Sequence, residues 1–479
     1  MKRTEWPRFV VVACAAVAIT AHSALAQKLD RSRRPVAPPD RALEFPTTFS
    51  QTLADGLRVI VIENHALPLV AVRAVVGVDS LSDPPGKEGL FALTSAMLRE
   101  GAAGMTADQQ SSAIAALGSN VGPFTFTTIT QNFKRSLDLM AGMLVHPALP
   151  SEALGRQKSV LMAAEHRRRQ IAGTALYVVF YRRLLGDSDP TARTFVASDA
   201  SISSITREEL RTYHDTYFRP ANTTVIIVGD VQHAAALGEV QKAFAGWRAG
   251  PEMPKTPART AGPRSPTTIY LLDRPGAAQS VAIVGTTGPS RGSRDFAALE
   301  VMAPVLGTTP ASRLLQNLRA RHSYTYGGVP GLVTWRPPPA PSIIGGAATI
   351  SASKTDSALI EWLKELRDIR ERPATEQELT LARGALRGLL ALRLETDDAI
   401  ANRVVDLVQN GLPLDFYNGY VARIDKVSAT DIGAAATKYI DPNRLVIVVS
   451  GDRKVIEPAL RSANIAPIMI VDGAGEPIG

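Results

Sequence analysis

Thr206–Asp230 reads TREELRTYHDTYFRPANTTVIIVGD, and Ser428–Asp452 reads SATDIGAAATKYIDPNRLVIVVSGD. The two stretches align without a gap at a constant offset of 222 residues, which pairs Thr206 with Ser428, Tyr217 with Tyr439, Pro220 with Pro442 and Gly229-Asp230 with Gly451-Asp452. Each opens on a Ser/Thr-x-x-Glu/Asp capping box, which satisfies free amides at a helix start. Each stops its helix at Tyr-x-x-Pro, because proline disfavours the helical conformation of the residue before it. Each ends in a β-branched run, TTVIIVGD or RLVIVVSGD, the pattern of a buried strand. Such self-similarity predicts two copies of one domain of roughly 200 residues.

Working outward, both copies order their elements alike: strands, a helix, a strand, long helices, then the repeated helix–strand unit. Strands are expected at Leu57–Ile62, Leu69–Val78 and Asn120–Thr130, then at Thr268–Leu272, Gln279–Gly285 and Ser342–Ser351. Helices are expected at Gly86–Gly101, Asn132–Val145, Ser151–Arg169, Tyr177–Leu185, Ala311–Ala320, Ser357–Arg370 and Thr375–Leu394. This interleaving predicts an α+β fold rather than a doubly wound parallel sheet. The boundaries follow: 47–249 for the first copy, 250–266 (GPEMPKTPARTAGPRSP) as a proline-rich linker, 267–460 for the second copy, and 461–479 as a loose tail.

Ahead of the first copy, residues 1–26 have the form of a secretory signal. Lys2, Arg3 and Arg8 precede the apolar run Phe9–Thr20, and Ala24-Leu25-Ala26 is a small-residue cleavage site. That run is too short to span a bilayer. Residues 27–46 are rich in proline and charge, a flexible lead-in. Export to the periplasm is the expectation. Lipid anchoring at Cys14 is disfavoured because it would cut the apolar run to a few residues. Cys14 is the only cysteine, so the chain after residue 26 has neither disulfides nor thiol chemistry.

Bulk composition narrows the function classes. A formal charge of +8 is spread along the chain, and its only dense run is Arg167-Arg168-Arg169. Nucleic-acid binding would need more clustering and interleaved aromatics. No Gly-x-Ser-x-Gly elbow, P-loop or dinucleotide fingerprint occurs.

Five segments, taken in order, resemble the insulinase (pitrilysin-type, M16) metallopeptidase family: LADGLRVIVIEN, PPGKEGLFALTSAMLREG, YFRPANTTVIIVGDV, DRPGAAQSVAIVG and SRLLQNLRARHSYTYG. The resemblance implies two homologous α+β domains in tandem, of LuxS/MPP-like metallohydrolase type, forming a clam-like half shell around a peptide chamber. Active members carry His-x-x-Glu-His on the helix after Gly86, with two histidines on zinc and the glutamate as general base. Here the same five positions are Ala92-Leu93-Thr94-Ser95-Ala96. Ala92, Ser95 and Ala96 supply no zinc ligand and no base. The third ligand would come from the helix around Arg156–Glu165. Glu165 reads as a solvated helix residue, and its neighbour His166 points to a different face. No cofactor is expected in this chain.

The family's second-half motif is retained. Its arginine and tyrosine correspond to Arg319 and Tyr326, with Ser323 where the family has glycine. A guanidinium and a phenol aimed at a peptide carbonyl would stabilise the oxyanion that develops on it. Asn120–Thr130 matches the strand that, in the family, pairs with extended substrate, making Asn120, Phe124 and Phe126 candidate peptide contacts by β-augmentation. The resemblance therefore implies a subunit that is inactive alone. It would lend Arg319 and Tyr326 to a zinc-bearing homologue in a 1:1 heterodimer that processes peptides. The alternative is a non-catalytic peptide-binding or scaffold protein of the cell envelope.

Overall fold

The computed structural model describes residues 44–250, 254, 265–327 and 333–478. The export signal with Cys14, the lead-in up to residue 43 and most of the linker lie outside the described residues. Helices of eight or more residues and strands of four or more are labelled in chain order. From Glu44 onward the chain forms one compact unit.

The first sheet contains β1 (Phe49–Thr52), β2 (Arg58–Glu63), β3 (Leu69–Val76), β4 (Thr125–Ile129) and β5 (Thr223–Gly229) in the order β1-β2-β5-β3-β4. Its helices are α1 (Leu90–Met97), α2 (Ala107–Ala115), α3 (Phe133–Val145), α4 (Ser151–Gln170), α5 (Ala172–Leu185), α6 (Arg207–Tyr217) and α7 (His233–Ala243). The second sheet holds β6 (Thr268–Asp273), β7 (Gln279–Gly288), β8 (Ser342–Ser351), β9 (Val446–Gly451) and β10 (Ile468–Val471). Starting from the two-residue strand Val333–Thr334, its order is β8-β7-β9-β6-β10. Around it lie α8 (Phe296–Ala303), α9 (Thr355–Glu371), α10 (Glu376–Leu392), α11 (Asp397–Gln409), α12 (Ala429–Tyr439) and α13 (Arg453–Ala463).

Four strands repeat their arrangement. β2 is parallel to β5, and β6 is parallel to β9. β5 and β9 each pair antiparallel with the next strand, β3 or β7, which pairs antiparallel with β4 or β8. The sheets are mixed, so the fold is α+β. Both repeated helices start as the sequence requires. Thr206 accepts from the Glu209 amide and Ser428 from the Asp431 amide, and each acidic side chain returns to its cap.

One face of the first sheet, including Val59, Val61, Val72 and Ile227, packs on Leu93, Met97, Leu137 and Val240 from its own helices. The opposite face is covered by a helix from the other copy: α11 lies on β3 and β5 and buries Ile400, Ala401, Val404 and Leu407. The arrangement is reciprocal. α5 lies on β9 and β7, and Leu176, Val179 and Phe180 join Leu272, Ile283 and Val448 in a second core. α5 and α11 hold equivalent places in the two copies, so the copies exchange helices. Polar contacts pin the first exchange. The Arg73 guanidinium lies 2.6 Å from Asp398 and 3.0 Å from Asn402, Thr127 donates to Asp398 at 2.7 Å, and Asn64 donates to Asp397 at 2.6 Å. Burial from both sides is why Thr223–Gly229 reads as an unbroken apolar run.

The C-terminal residues depart from the expectation of a loose tail. Arg461–Ala463 complete α13, and β10 adds to the sheet parallel to β6. Arg182 and Arg183 of α5 then hold the turn after β10 through the carbonyls of Ala474 and Gly475. A strand of four residues with no alternation is too short to stand out in sequence. The helix expected at Ala311–Ala320 is also altered. It is one α-turn, Arg313–Leu315, widening into a π-turn over Gln316–Arg321.

Candidate functional site

α1 is set in place before it begins. Its N-cap, Gly89, has φ +104°, a conformation glycine adopts freely, and the helix has no side-chain cap of its own. The Asp83 carboxylate substitutes, accepting from the amides of Gly89 (2.9 Å) and Phe91 (2.8 Å). Asp83 is 1% exposed, and burial pushes its carboxyl up to about 6 despite these donors and nearby Arg193.

That shift carries a sign. The folded chain keeps a proton on Asp83 that the unfolded chain releases near 3.8, so this group's contribution to stability falls as pH rises from about 4 to about 6. The fall amounts to about 3 kcal/mol at ~1.4 kcal/mol per unit. Asp83→Asn removes the titration. The wild-type minus variant difference in unfolding free energy is expected to shrink across that window and stay flat above it. A difference independent of pH would contradict the assignment.

Leu90, Leu93, Thr94 and Met97 form the buried face of α1. Ala92, Ser95 and Ala96, at helical spacing, share its half-buried face. The Ser95 Oγ is enclosed and has no partner. α4 packs against α1, and on it Glu165 is 9% exposed, with Oε1 3.5 Å from Arg168 and Oε2 enclosed without a partner. Reading Glu165 as solvated is therefore corrected: α4 turns this position inward. His166 diverges as expected, reaching Asp199 at 2.7 Å on the surface.

The residues on α1 do not fit a catalytic zinc. Two alanines offer no donor, one serine offers a neutral hydroxyl, and such a site needs about three protein ligands. Among the described residues no group of three His, Cys, Asp or Glu side chains is arranged to hold a metal ion.

In the second sheet, the segment carrying Arg319 is fixed at both ends. Arg313 grips Glu378 of α10 through two bonds of 2.7 and 2.9 Å and also donates to the carbonyls of Arg372 and Pro373. Asn317 donates to Glu361 and Glu365 of α9, and Leu318 is fully buried. Downstream, Thr325 bridges to Ile350 of β8, and the Ser351 amide donates to the Tyr324 carbonyl. Between these anchors Ser323 sits at φ +53°. A left-handed conformation costs a residue with a Cβ roughly 1–2 kcal/mol, which is the physical reason a glycine suits this place. Arg319 is exposed, and Tyr326 is 89% exposed. Neither side chain hydrogen-bonds or ion-pairs with another described residue.

β4 is an edge strand, so one side of its backbone is unpaired among the described residues. The side chains proposed to touch peptide there are corrected in part. Phe126 is 1% exposed in the core, and Phe124 is half-buried with its ring 6.2 Å from Phe218. Asn120 is exposed. Thr125, Thr127 and Ile129 occupy the outward positions of β4. The alternation of Phe with Thr carried this signal, since one set must face the core. Asp83 and Arg313, which position the two elements, were not singled out from sequence. Each acts through tertiary contacts that no local pattern marks.

Known proteins agree with this arrangement. The profile described as "Peptidase M16 inactive domain" matches residues 204–386. An uncharacterized zinc protease of Mycobacterium leprae is 24% identical over 405 residues, covering 81% of this chain and 88% of that protein. An uncharacterized zinc protease of Streptomyces coelicolor is 24% identical over 411 residues, covering 80% and 85%. Among solved structures, the peptidase M16 inactive domain from Pseudomonas fluorescens superposes with a TM-score of 0.75 at 23% identity, covering 85% of this chain and 98% of that one. A protease from Helicobacter pylori gives 0.74 at 19% identity, covering 85% and 99%. The fold and the paired elements define an M16-type peptidase scaffold. Residues 204–386 match the M16 inactive-domain family, and over most of its length the chain is similar to M16-type zinc proteases while lacking zinc ligands at Ala92, Ser95 and Ala96.

Proposed function

We propose that this chain is the non-zinc subunit of a two-chain peptidase, working with a zinc-bearing homologue in a 1:1 heterodimer. The observation that carries this reading is the pairing of an α1 without zinc ligands with an Arg319 and a Tyr326 that are exposed and make no hydrogen bond or ion pair with another described residue. Tyr326, 89% exposed on a backbone held at both ends, is free to meet a substrate or partner. The partner supplies zinc and base. This chain supplies a guanidinium and a phenol to the substrate carbonyl, and its two domains form one half of a clam-like shell. Extended peptide pairs with the open edge of β4 by strand addition, its side chains meeting Thr125 and Ile129 rather than the buried phenylalanines. The signal-like sequence of residues 1–26 supports export of the assembly to the periplasm.

A second reading is a non-catalytic peptide-binding or scaffold protein of the envelope, which the same open strand edge favours. Mixing separates the two. The purified chain alone is expected to show no peptidase activity, and adding an exported, zinc-bearing homologue is expected to produce activity that neither shows separately. A candidate partner that is fully active alone and neither binds nor responds to this chain would refute the heterodimer.

A further inference from the structure

The seam where α5 crosses the second sheet contains a basic notch that the proposed function does not use. It exists because β9 is shorter than β7. β9 begins at Val446, opposite Gly285, so the β7 backbone over Thr286–Gly288 pairs with β8 but has no strand on its β9 side. The shallow opening, continuous with solvent, is lined by Arg183, Arg444, Tyr270, Thr286, Thr287 and Ser265.

Its two cations come from opposite copies of the repeat. Arg183 belongs to α5, and its guanidinium lies over the Tyr270 ring at 5.3 Å. One of its Nη atoms donates to the Gly475 carbonyl, while its Nε is enclosed and has no partner. Arg444, just before β9, pairs among the described residues with Asp441 at 3.6 Å, and both side chains are substantially exposed. Thr287 is a hydroxyl residue held in the buried strand floor. A donor shut away from water without an acceptor is unfavourable. Two guanidinium groups line the opening, and among the described residues only Arg444 has a carboxylate partner, Asp441 at 3.6 Å. The fork of a guanidinium matches the two oxygens of a carboxylate or a phosphate, and hydroxyls can complete the set.

We infer that this notch binds a small oxyanion, of carboxylate or phosphate chemistry, clamped between Arg183 and Arg444. The Tyr270 face holds the Arg183 guanidinium in place, so little side-chain freedom is lost on binding. Since α5 and β9 derive from different copies, the ligand ties the exchanged helix to the sheet it covers.

Calorimetric titration of the full chain with potassium phosphate, and separately with sodium acetate, tests this, with potassium chloride holding ionic strength constant. Saturable binding of at least one anion is expected, weakened tenfold or more by Arg444→Ala. Because Arg444 is exposed, the ligand-free melting temperature of that variant should match the wild type. Arg183→Lys keeps the charge but loses the fork, and should weaken binding while leaving the variant folded. Saturation by phosphate alone assigns a phosphoryl ligand, by acetate alone a carboxylate such as a peptide terminus, and by both a general oxyanion site. Heat that never saturates with either anion, or equal affinity in wild type and Arg444→Ala, would overturn the site.

Discussion

Phe180→Ala is expected to lower the unfolding free energy by about 3–5 kcal/mol, the usual cost of truncating a buried aromatic. Phe180 is 2% exposed, and its ring tip lies 2.8 Å from where a Cβ on Gly285 would stand. The ring therefore fills space that this glycine leaves open. The site of the damage is as informative as its size. Phe180 belongs to the first copy of the repeat, yet it packs on Ile283 and Val448 of the second. Amide hydrogen exchange should accelerate in β7 and β9 as well as in α5. Loss of protection confined to residues before 250 would show that the exchanged helix does not hold the second sheet together.

Arg319→Ala and Tyr326→Phe are expected to reduce turnover by the assembled two-chain enzyme by about 10²–10³-fold each, the effect of losing one oxyanion donor, worth roughly 2.7–4 kcal/mol in the barrier. Assembly itself should be spared. Both side chains are exposed and make no polar bond with another described residue, so their loss leaves no described buried group unpaired. The informative pattern is a fall in kcat with an unchanged melting temperature and unchanged complex formation. Wild-type turnover by both variants would assign the pair no part in chemistry and favour the peptide-binding scaffold.

Much of this architecture is written in local pattern. Capping boxes at Thr206 and Ser428, the stop at Tyr-x-x-Pro and the β-branched runs are short-range signals, and each element they announce is present. The loss of zinc donors at Ala92, Ser95 and Ala96 is equally plain, because a ligand is a residue type. Partnership between distant segments is less legible. The apolar pattern of Tyr177–Leu185 says that something covers this helix, but not that its partner is the sheet of the other copy. The same holds for Glu165, whose burial depends on how α4 turns against α1. It holds too for Ile468–Val471, whose pairing depends on the free edge of β6. Ser323 is the converse case. A departure seen only as a substitution proves to be a strained backbone position, and that is knowable only from its φ.

The helix exchange also sets a timetable for the nascent chain. β5 is complete at Gly229, but the helix that covers its second face ends at Gln409. Until the intervening chain has followed, that face has no cover. During that interval Ile226, Val228 and their neighbours stand bare, a β-branched surface of the kind that invites association with other chains. Neither copy of the repeat covers the second face of its own sheet, so cutting the gene at the linker would yield two fragments, each missing the helix that closes that face.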